Sequence, residues 1–505
     1  MSRITVDIDL NRVEGDLEFQ VDLEDGVVVD ARCVGTLYRG FEQIMIGRAP
    51  RDALVITPRV CGICGTAHLY AATLALEQIA HITPPAHAVQ VRNLCLMAET
   101  LQSDLRQSFL FFTPDFCNAI YAAHPLAAEL RDAFTPLKGS VVRGTLKATR
   151  DVLGIVALFG GQWPHSTYML PGGISQPANS RRILDSRGIL AAVRAWFEQS
   201  VIGGRLEEWM ALDSADALFR WQAAAAGRER SALGLFNRFS RDIGLHRLGR
   251  GTGHLLSYGV NPQPLGEARE LPAGFFNADT QQIETLDQSQ INEHVRHSWF
   301  LDYPGGRHPW EGETIPDHQP GSDRYTWAKA PRYGDKVVQT GPLAELRIAG
   351  EPLISDLLAR EGDNTWLRQF ARLRRAGWLI GAMSETLQAI KASMDQPHYI
   401  DPGIDIWPDG ESYGLVEAAR GGLGHWLRIR NGVIDKYQIV TPTAWNASPR
   451  DSAGRHGHWE QSIIGLPVPD PANPVDIGHI VRSHDPCLVC TVHFIGSQRK
   501  THFNV

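Results

Sequence analysis

Two Cys-x-x-Cys pairs sit near opposite ends of the chain, Cys61-Gly62-Ile63-Cys64 and Cys487-Leu488-Val489-Cys490, 423 positions apart. Each places two thiols one short turn apart, a spacing that lets both sulfurs converge on one metal ion. If the four act together, folding must carry both extremities of a 505-residue polypeptide to a common centre. A zinc ribbon separates its pairs by only ~15–20 residues, so a knuckle closing a small loop is the wrong picture. Four thiolates make a soft site, suited to zinc, an iron–sulfur cluster or a late transition metal such as nickel. Either pair alone reads equally as a structural zinc half-site or a redox dithiol. The cysteines number seven, odd and too few for a disulfide framework in so long a chain, which points to a reducing compartment.

The rest of the sequence can bury a site of this kind. Hydrophobic residues make up 43% and charged residues 21%, with 13 Trp and 18 Phe, the composition of a folded globular protein. A net charge of −7 supplies no general attraction for nucleic acid or anionic membranes. The start, Met1 to Asp7, alternates like a strand and lacks the apolar run of an export signal, and the longest uncharged stretch, Val152 to Ser180, is broken by Gly160-Gly161 and Pro171-Gly172-Gly173. The expectation is a cytoplasmic protein without a membrane span of its own, reaching a membrane only through partners.

Alternation at Ile4, Val6 and Ile8, at Leu17, Phe19 and Val21, and at Val27 and Val29, with an Asp25-Gly26 turn, predicts a small antiparallel sheet. Helical spacing follows over 85–112, where Leu94, Met97, Leu101 and Leu105 share a face, and again over 138–159, 187–223 and 364–394. Between 260 and 345, Pro, Gly and charges dominate, but Trp310, Trp327 and Tyr333 argue for an ordered excursion packed on the helices rather than a linker. Short strand patterns return at Trp426 to Ile429 and Tyr437 to Val440. The fold class is α+β and predominantly helical, with long central helices and small peripheral antiparallel sheets, read as one large domain over 1–505.

The residues around the cysteines carry a family resemblance. Arg59-Val60-Cys61-Gly62-Ile63-Cys64-Gly65-Thr66-Ala67-His68 and Asp485-Pro486-Cys487-Leu488-Val489-Cys490-Thr491-Val492-His493 resemble the two signature motifs of the large subunit of nickel–iron hydrogenases, in their cytoplasmic uptake and sensor group. Arg12-Val13-Glu14-Gly15, Tyr38 to Glu42, Ala419 to Trp426 and Thr441 to Asn446 extend the match, which covers 4–493.

The resemblance implies a nickel ion held by all four cysteines, with Cys61 and Cys487 terminal and with Cys64 and Cys490 bridging to an iron that carries carbon monoxide and cyanide. Dihydrogen is a very weak acid, so splitting it requires a Lewis-acidic metal beside a base, a part a terminal thiolate can take. Glu14 corresponds to the first proton-relay carboxylate, although Asp16 stands where the family usually has His. Arg420 corresponds to an arginine over the open side of the metals, and Asp104 and Asp485 to the acids that pair with it, offsetting the burial of its charge. Thr443 and the backbone at Arg420 correspond to donors to cyanide, with Ala419 where relatives have Pro; His68 corresponds to a donor to a cysteine sulfur. Glu42, His493 and the carbonyl of Ile439 correspond to the ligands of a second metal, magnesium. Cys33, Cys95 and Cys117 match no motif and read as small buried hydrophobes.

The resemblance also implies partners. With four cysteines committed to the metals, the remaining three cannot build an iron–sulfur wire, so electrons need an iron–sulfur small subunit, docked near Glu14 and residues 40–59. Nickel-insertion proteins and a maturation endopeptidase are implied too, the latter cutting after His493 to remove Phe494 to Val505. The function expected is an uptake hydrogenase large subunit. The alternatives are a regulatory hydrogen sensor, the related quinone-reducing subunit of respiratory NADH dehydrogenase, which lacks these cysteines, and a zinc-stabilised scaffold.

Overall fold

The computed structural model describes residues 3–9, 12, 17–263, 267–319 and 322–487. The predicted N-terminal sheet is a three-stranded antiparallel meander, β1 (Arg3–Asp9), β2 (Leu17–Glu24) and β3 (Val27–Gly35). Asp25 (φ 51°) and Gly26 (φ 78°) both take the left-handed conformation that a tight hairpin turn demands. One face of this sheet, with Phe19, Val21, Val28, Ala31 and Cys33, packs on Trp459, Ile463 and Ile480. Backbone bonds join the two ends of the chain: Val28 N–H donates to Leu466 O at 3.0 Å, and Val468 N–H to Gly26 O at 2.7 Å.

After the short α1 (Phe41–Met45) come the helices that form the core: α2 (Gly65–Ala80), α3 (Ala86–Arg106), α4 (Ser140–Gly160) and α5 (Ser180–Trp196). The helix expected over 85–112 is regular to Arg106 and then widens into a π-helical turn, Gln107–Phe112. The helix expected over 187–223 is broken: α5 runs into a π-helical turn, Phe197–Ile202, and stops at Gly203 (φ 68°), which terminates a helix at little cost because it lacks a Cβ. Two shorter helices, Leu206–Met210 and Ala215–Ala223, cover the remainder.

The stretch from 260 to 345 is an ordered excursion where it is described. Trp327 stacks on Tyr38 with ring centroids 4.9 Å apart, and Trp310 Nε1 donates to Ser412 O at 3.2 Å. It ends in α6 (Pro342–Ile348), followed by α7 (Thr365–Ala392), the longest helix, whose start is capped by Asn364 Oδ1 accepting from Leu367 N–H at 2.8 Å. Most of α7 is buried around its whole circumference, including Arg368, Gln369, Arg372, Arg374 and Arg375. A helix buried that way must pair its charges internally.

A second meander, β4 (Gly410–Ala418), β5 (Gly421–Arg430) and β6 (Val433–Val440), lies against α2. It is followed by α8 (Pro442–Asn446) and α9 (Val475–Ser483). No helix among the described residues is long and apolar enough to cross a membrane.

The contact of β4 with α2 depends on glycine: a Cβ at Gly414 would stand 1.9 Å from Ala71 O. Gly414→Ala is expected to destabilise the protein by about 1–3 kcal/mol through overpacking. Gly381→Ala, in α7 with nothing within 4 Å of the new Cβ, should instead be neutral or stabilise by about 0.5–1 kcal/mol. Denaturation midpoints of the two variants check this; equal shifts would refute it.

Candidate metal centre

The first cysteine pair occupies the turn that enters α2. Cys61 Sγ accepts from the backbone N–H of Ile63 at 3.3 Å and of Cys64 at 3.4 Å, a small nest of donors that favours the anionic sulfur. The side chain of Cys64, at the N-cap position, makes no capping bond. Glu99 of α3 does that work: its carboxylate accepts from Thr66 N–H at 3.1 Å, Ala67 N–H at 3.2 Å and Trp163 Nε1 at 3.0 Å. Burial pushes its pKa up to about 7 against these three donors. The motif reading did not include Glu99; its only signal is a carboxylate among the apolar positions of α3.

Cys487, the first cysteine of the second pair, follows α9. Thr441 caps α8, its Oγ1 accepting from Ala444 N–H at 3.2 Å, and Thr443 Oγ1 accepts from Cys487 N–H at 3.2 Å. This places Cys487 Sγ 3.6 Å from Cys61 Sγ, both fully buried, a separation too long for a disulfide and suited to two ligands of one ion. Cys64 is buried beside them. Cys490, His493 and the 494–505 tail lie outside the described residues, as does Glu14. Among the described residues no three His, Cys, Asp or Glu side chains are grouped so as to hold a metal by themselves.

Arg420 follows the end of β4 and is buried. Its Nε donates to Asp485 O at 3.0 Å and lies 3.0 Å from Asp485 Oδ1, while Nη1 has no partner among the described residues. Burial alone would lower its pKa. Asp485 and then the sulfurs of Cys487, Cys61 and Cys64 more than reverse this, so the guanidinium stays charged beside three thiols. Asp485 holds its place with φ 58°, an uncommon conformation that Asp tolerates better than most residues.

Asp104 departs from the expected pairing. It is gripped by Arg375, with Nη2 to Oδ1 at 2.6 Å and Nε to Oδ2 at 2.9 Å, and lies 3.3 Å from Arg372 Nη1; it does not pair with Arg420. Asp104 projects from α3 towards α7, where two guanidiniums one turn apart offer a bidentate fork that a lone distant arginine cannot match. Arg372 also reaches Asp485 Oδ2 at 3.4 Å, and Arg375 bonds Glu345 and, at 2.5 Å, Ala419 O. Three guanidiniums, Arg372, Arg375 and Arg420, thus meet three carboxylates, Asp104, Glu345 and Asp485, behind the thiols. The sequence signal for Arg372 and Arg375 is the cluster Arg372-Leu373-Arg374-Arg375 inside a helix too apolar elsewhere to be a surface element.

His68, in the first turn of α2, lies with Nδ1 3.0 Å from His425 Nε2, and its Nε2 has no partner among the described residues. Burial pushes its pKa down to about 4, opposed by Cys61.

A small pocket, about 50 Å³, lies under α1. Glu42 Oε1 accepts from Ile439 N–H at 2.9 Å and from Lys329 Nζ at 3.2 Å, and Lys329 also reaches Glu293 Oε2 and Gln438 Oε1, each at 2.7 Å. Glu293 Oε1 has no partner among the described residues, and burial pushes the pKa of Glu293 up to about 7. These oxygens are hard donors of the kind a cation such as magnesium takes, and the Lys329 ammonium already lies among them. The expected Glu42 and Ile439 are therefore neighbours, though through the Ile439 N–H.

The family description for nickel-dependent hydrogenases matches residues 39–136 and 238–493. The chain belongs to the nickel-dependent hydrogenase family. It is 31% identical to the periplasmic [NiFeSe] hydrogenase large subunit of Desulfomicrobium baculatum, over 98% of this chain and 96% of that one. It is 28% identical to the hydrogenase-2 large chain of Escherichia coli (strain K12), over 98% and 97% of the two, and to the uptake hydrogenase large subunit of Rhodobacter capsulatus, over 98% and 96%. The solved structure of the Ni-Fe-Se hydrogenase from D. vulgaris Hildenborough in the reduced state superposes with a TM-score of 0.81 at 30% identity, covering 97% of this chain and 100% of that one. The chain is therefore a hydrogenase large subunit, an enzyme component. With a periplasmic enzyme among these relatives, the comparisons do not support its placement in a cytoplasmic uptake or sensor group.

The hydrogenase's buried charge network generates a test. Removing one member of a buried pair costs about 3–5 kcal/mol. Arg375→Ala is expected to lower the denaturation midpoint accordingly, while Asp104→Asn should leave the Arg420 to Asp485 contact intact in a crystal structure. Loss of that contact in the Asp104 variant would show that Arg420 depends on Asp104 after all, as the resemblance implied.

Proposed function

We propose that this hydrogenase large subunit is the catalytic subunit of an uptake enzyme that splits dihydrogen heterolytically and passes electrons to an iron–sulfur small subunit. The observation that carries the reading is a charged Arg420, with one nitrogen unpartnered among the described residues, standing beside sulfurs from both ends of the chain in a buried pocket. Cys61 and Cys487 would be terminal ligands of nickel, and Cys64 and Cys490 would bridge to an iron bearing carbon monoxide and cyanide. The donor set fits: the sulfurs are soft, Cys61 Sγ sits in a nest of N–H groups, and Arg420 Nη1 and His68 Nε2 remain for ligands and sulfurs. When bound, the metals would supply Lewis acidity towards dihydrogen.

The protein's own groups do the rest. A terminal cysteine sulfur would be the base that takes the proton. Arg420 is too firmly charged to accept one, so it stabilises negative charge and orients small ligands. Thr443, already holding Cys487 through its Oγ1, would be a donor to cyanide. Glu14 receives the proton next. Arg12, two residues before it in the chain, is ion-paired with Asp115, which also accepts from Arg482 Nη1 at 2.6 Å at the end of α9, just before Cys487. Magnesium would be held by Glu42, His493 and the Ile439 carbonyl.

Cys33 and Cys95 are buried in two separate clusters, and Cys117 packs at the edge of the main core. The small subunit would dock over the exposed Ile44, Ile46 and Val55, continued by Ile406 and Val433; backbone bonds Gly47 N–H to Ile434 O at 2.8 Å and Ile434 N–H to Arg48 O at 2.9 Å join these segments. Nickel-insertion proteins and an endopeptidase cutting after His493 would complete maturation.

The heterodimer should contain nickel and iron, show infrared bands of metal-bound carbon monoxide and cyanide, and oxidise hydrogen with an artificial acceptor; zinc without those bands rejects the reading. Serine at Cys61, Cys64, Cys487 or Cys490 should abolish turnover, and Arg420→Lys should lower kcat roughly 10²-fold. Ile46→Asp should weaken small-subunit binding at least about tenfold in a pull-down titration, since it buries a charge; unchanged affinity rejects that surface.

A further inference from the structure

The short helix α8 has a hold on each side of the metal centre. Near its start Thr443 Oγ1 accepts from Cys487 N–H at 3.2 Å. At its end Asn446, which is buried, bonds the backbone of Thr340 twice: Oδ1 accepts from Thr340 N–H at 3.0 Å, and Nδ2 donates to Thr340 O at 3.2 Å. A carboxamide that gives one donor and one acceptor to the same residue fixes its orientation as well as its distance. Thr340 immediately precedes Gly341, the residue that caps α6.

Thr340 and Gly341 form a wall against the turn that carries Arg420. A Cβ at Gly421 would stand 2.4 Å from Thr340 Oγ1 and 2.6 Å from Gly341 N, and a Cβ at Gly341 would stand 3.1 Å from Arg420 O. Both glycines take backbone that side chains rarely allow, φ 126° at Gly421 and φ 117° with ψ −167° at Gly341, so the two segments meet with no room for a side chain on either glycine. On the other side, Arg420 Nε donates to Asp485 O at 3.0 Å, and Asp485 lies two residues before Cys487. The contacts close into a ring: α8, Cys487, Asp485, Arg420, the Thr340–Gly341 wall, Asn446 and α8 again. Close-packed contacts of this kind transmit a displacement instead of absorbing it.

We propose that Asn446 is a positioning residue for Arg420: by pinning Thr340 it sets how far the Arg420–Gly421 turn stands from Cys487, the residue on which the same helix has its other hold. This rests on the reading of Arg420 as the group that stabilises negative charge beside the metals. A donor with that task works only when it is already in place, and a shift of about 1 Å can cost 10²-fold in rate. Arg375, which bonds Ala419 O, ties the chain one residue earlier to α7. Asn446 refers the same turn to the helix that holds a cysteine. Neither its residue type nor its place in the chain marks it for this role, because its partner lies 106 positions away.

The test is a double-mutant cycle on the heterodimer, with hydrogen oxidation, metal content and the infrared bands of metal-bound carbon monoxide and cyanide measured on each protein. Asn446→Ala should shift the bands and lower kcat roughly tenfold, with KM for hydrogen unchanged within about twofold. In an Arg420→Lys background the same change should cost less than about twofold and shift the bands no further, because residues that act as a unit are not additive. Equal losses in the two backgrounds overturn the proposal, as does an Asn446→Ala enzyme with the wild-type kcat. Should that variant fail to assemble, Thr340→Ala decides by the same cycle with a smaller loss, since it keeps both backbone bonds and trims only the side chain that faces Gly421. A wild-type heterodimer that holds zinc and lacks the bands rejects the proposed function instead. The positioning is then read from a crystal structure of Asn446→Ala: Arg420 Nε should leave hydrogen-bonding reach of Asp485 O, and a contact kept at 3.0 Å overturns the proposal.

Discussion

Sulfurs of Cys61 and Cys487 meet at 3.6 Å in the interior, and the architecture follows from holding together two points so distant along the chain. Local structure cannot do this. The N-terminal meander is bonded through its backbone to the segment around Leu466, and its apolar face packs on the helices that lead into Cys487. From the other side, α2 begins directly after Cys64 and rests on β4 at a distance that only Gly414 permits. The thiols thus lie where the turn before α2 meets the segment that follows α9.

Burying the site also means burying charge. A guanidinium beside thiols in an apolar interior needs partners, and Asp485 alone does not provide enough. The structure spreads the load over three arginines and three carboxylates contributed by α3, α6, α7, the β4–β5 connection and the approach to Cys487. An incomplete set of this kind would be costly and a complete one roughly neutral. Its value is therefore positional: Arg375 ties Asp104, Glu345 and the Ala419 carbonyl together immediately before Arg420. Glu99 serves the cysteine turn similarly, taking over the capping of α2 so that Cys64 can direct its thiol inward.

Periodic and turn signals were legible in the residues. The Asp25-Gly26 hairpin, the helices at 140–160 and 365–392 and the strands at Trp426 and Tyr437 lie where spacing indicates, because each depends on neighbours in sequence. Failures occurred where a local feature was weighed too lightly or where the decision was remote. Gly203-Gly204 lies inside an otherwise helical pattern and divides it. Asp104 was matched to Arg420, yet across the helix interface it faces Arg372 and Arg375, residues no local pattern connects to it.

What the sequence determined by itself is the chemistry available: four thiols in two close pairs and the helices and strands around them, since residue type and spacing are local properties. Tertiary structure alone decided who meets whom. Asp104 turns to α7 rather than to Arg420, Glu99 caps a helix it does not belong to, and Asn446 bonds the backbone of Thr340. Such pairings depend on how helices and sheets are placed against one another, and a buried polar group bonds to whatever partner that packing brings within about 3 Å.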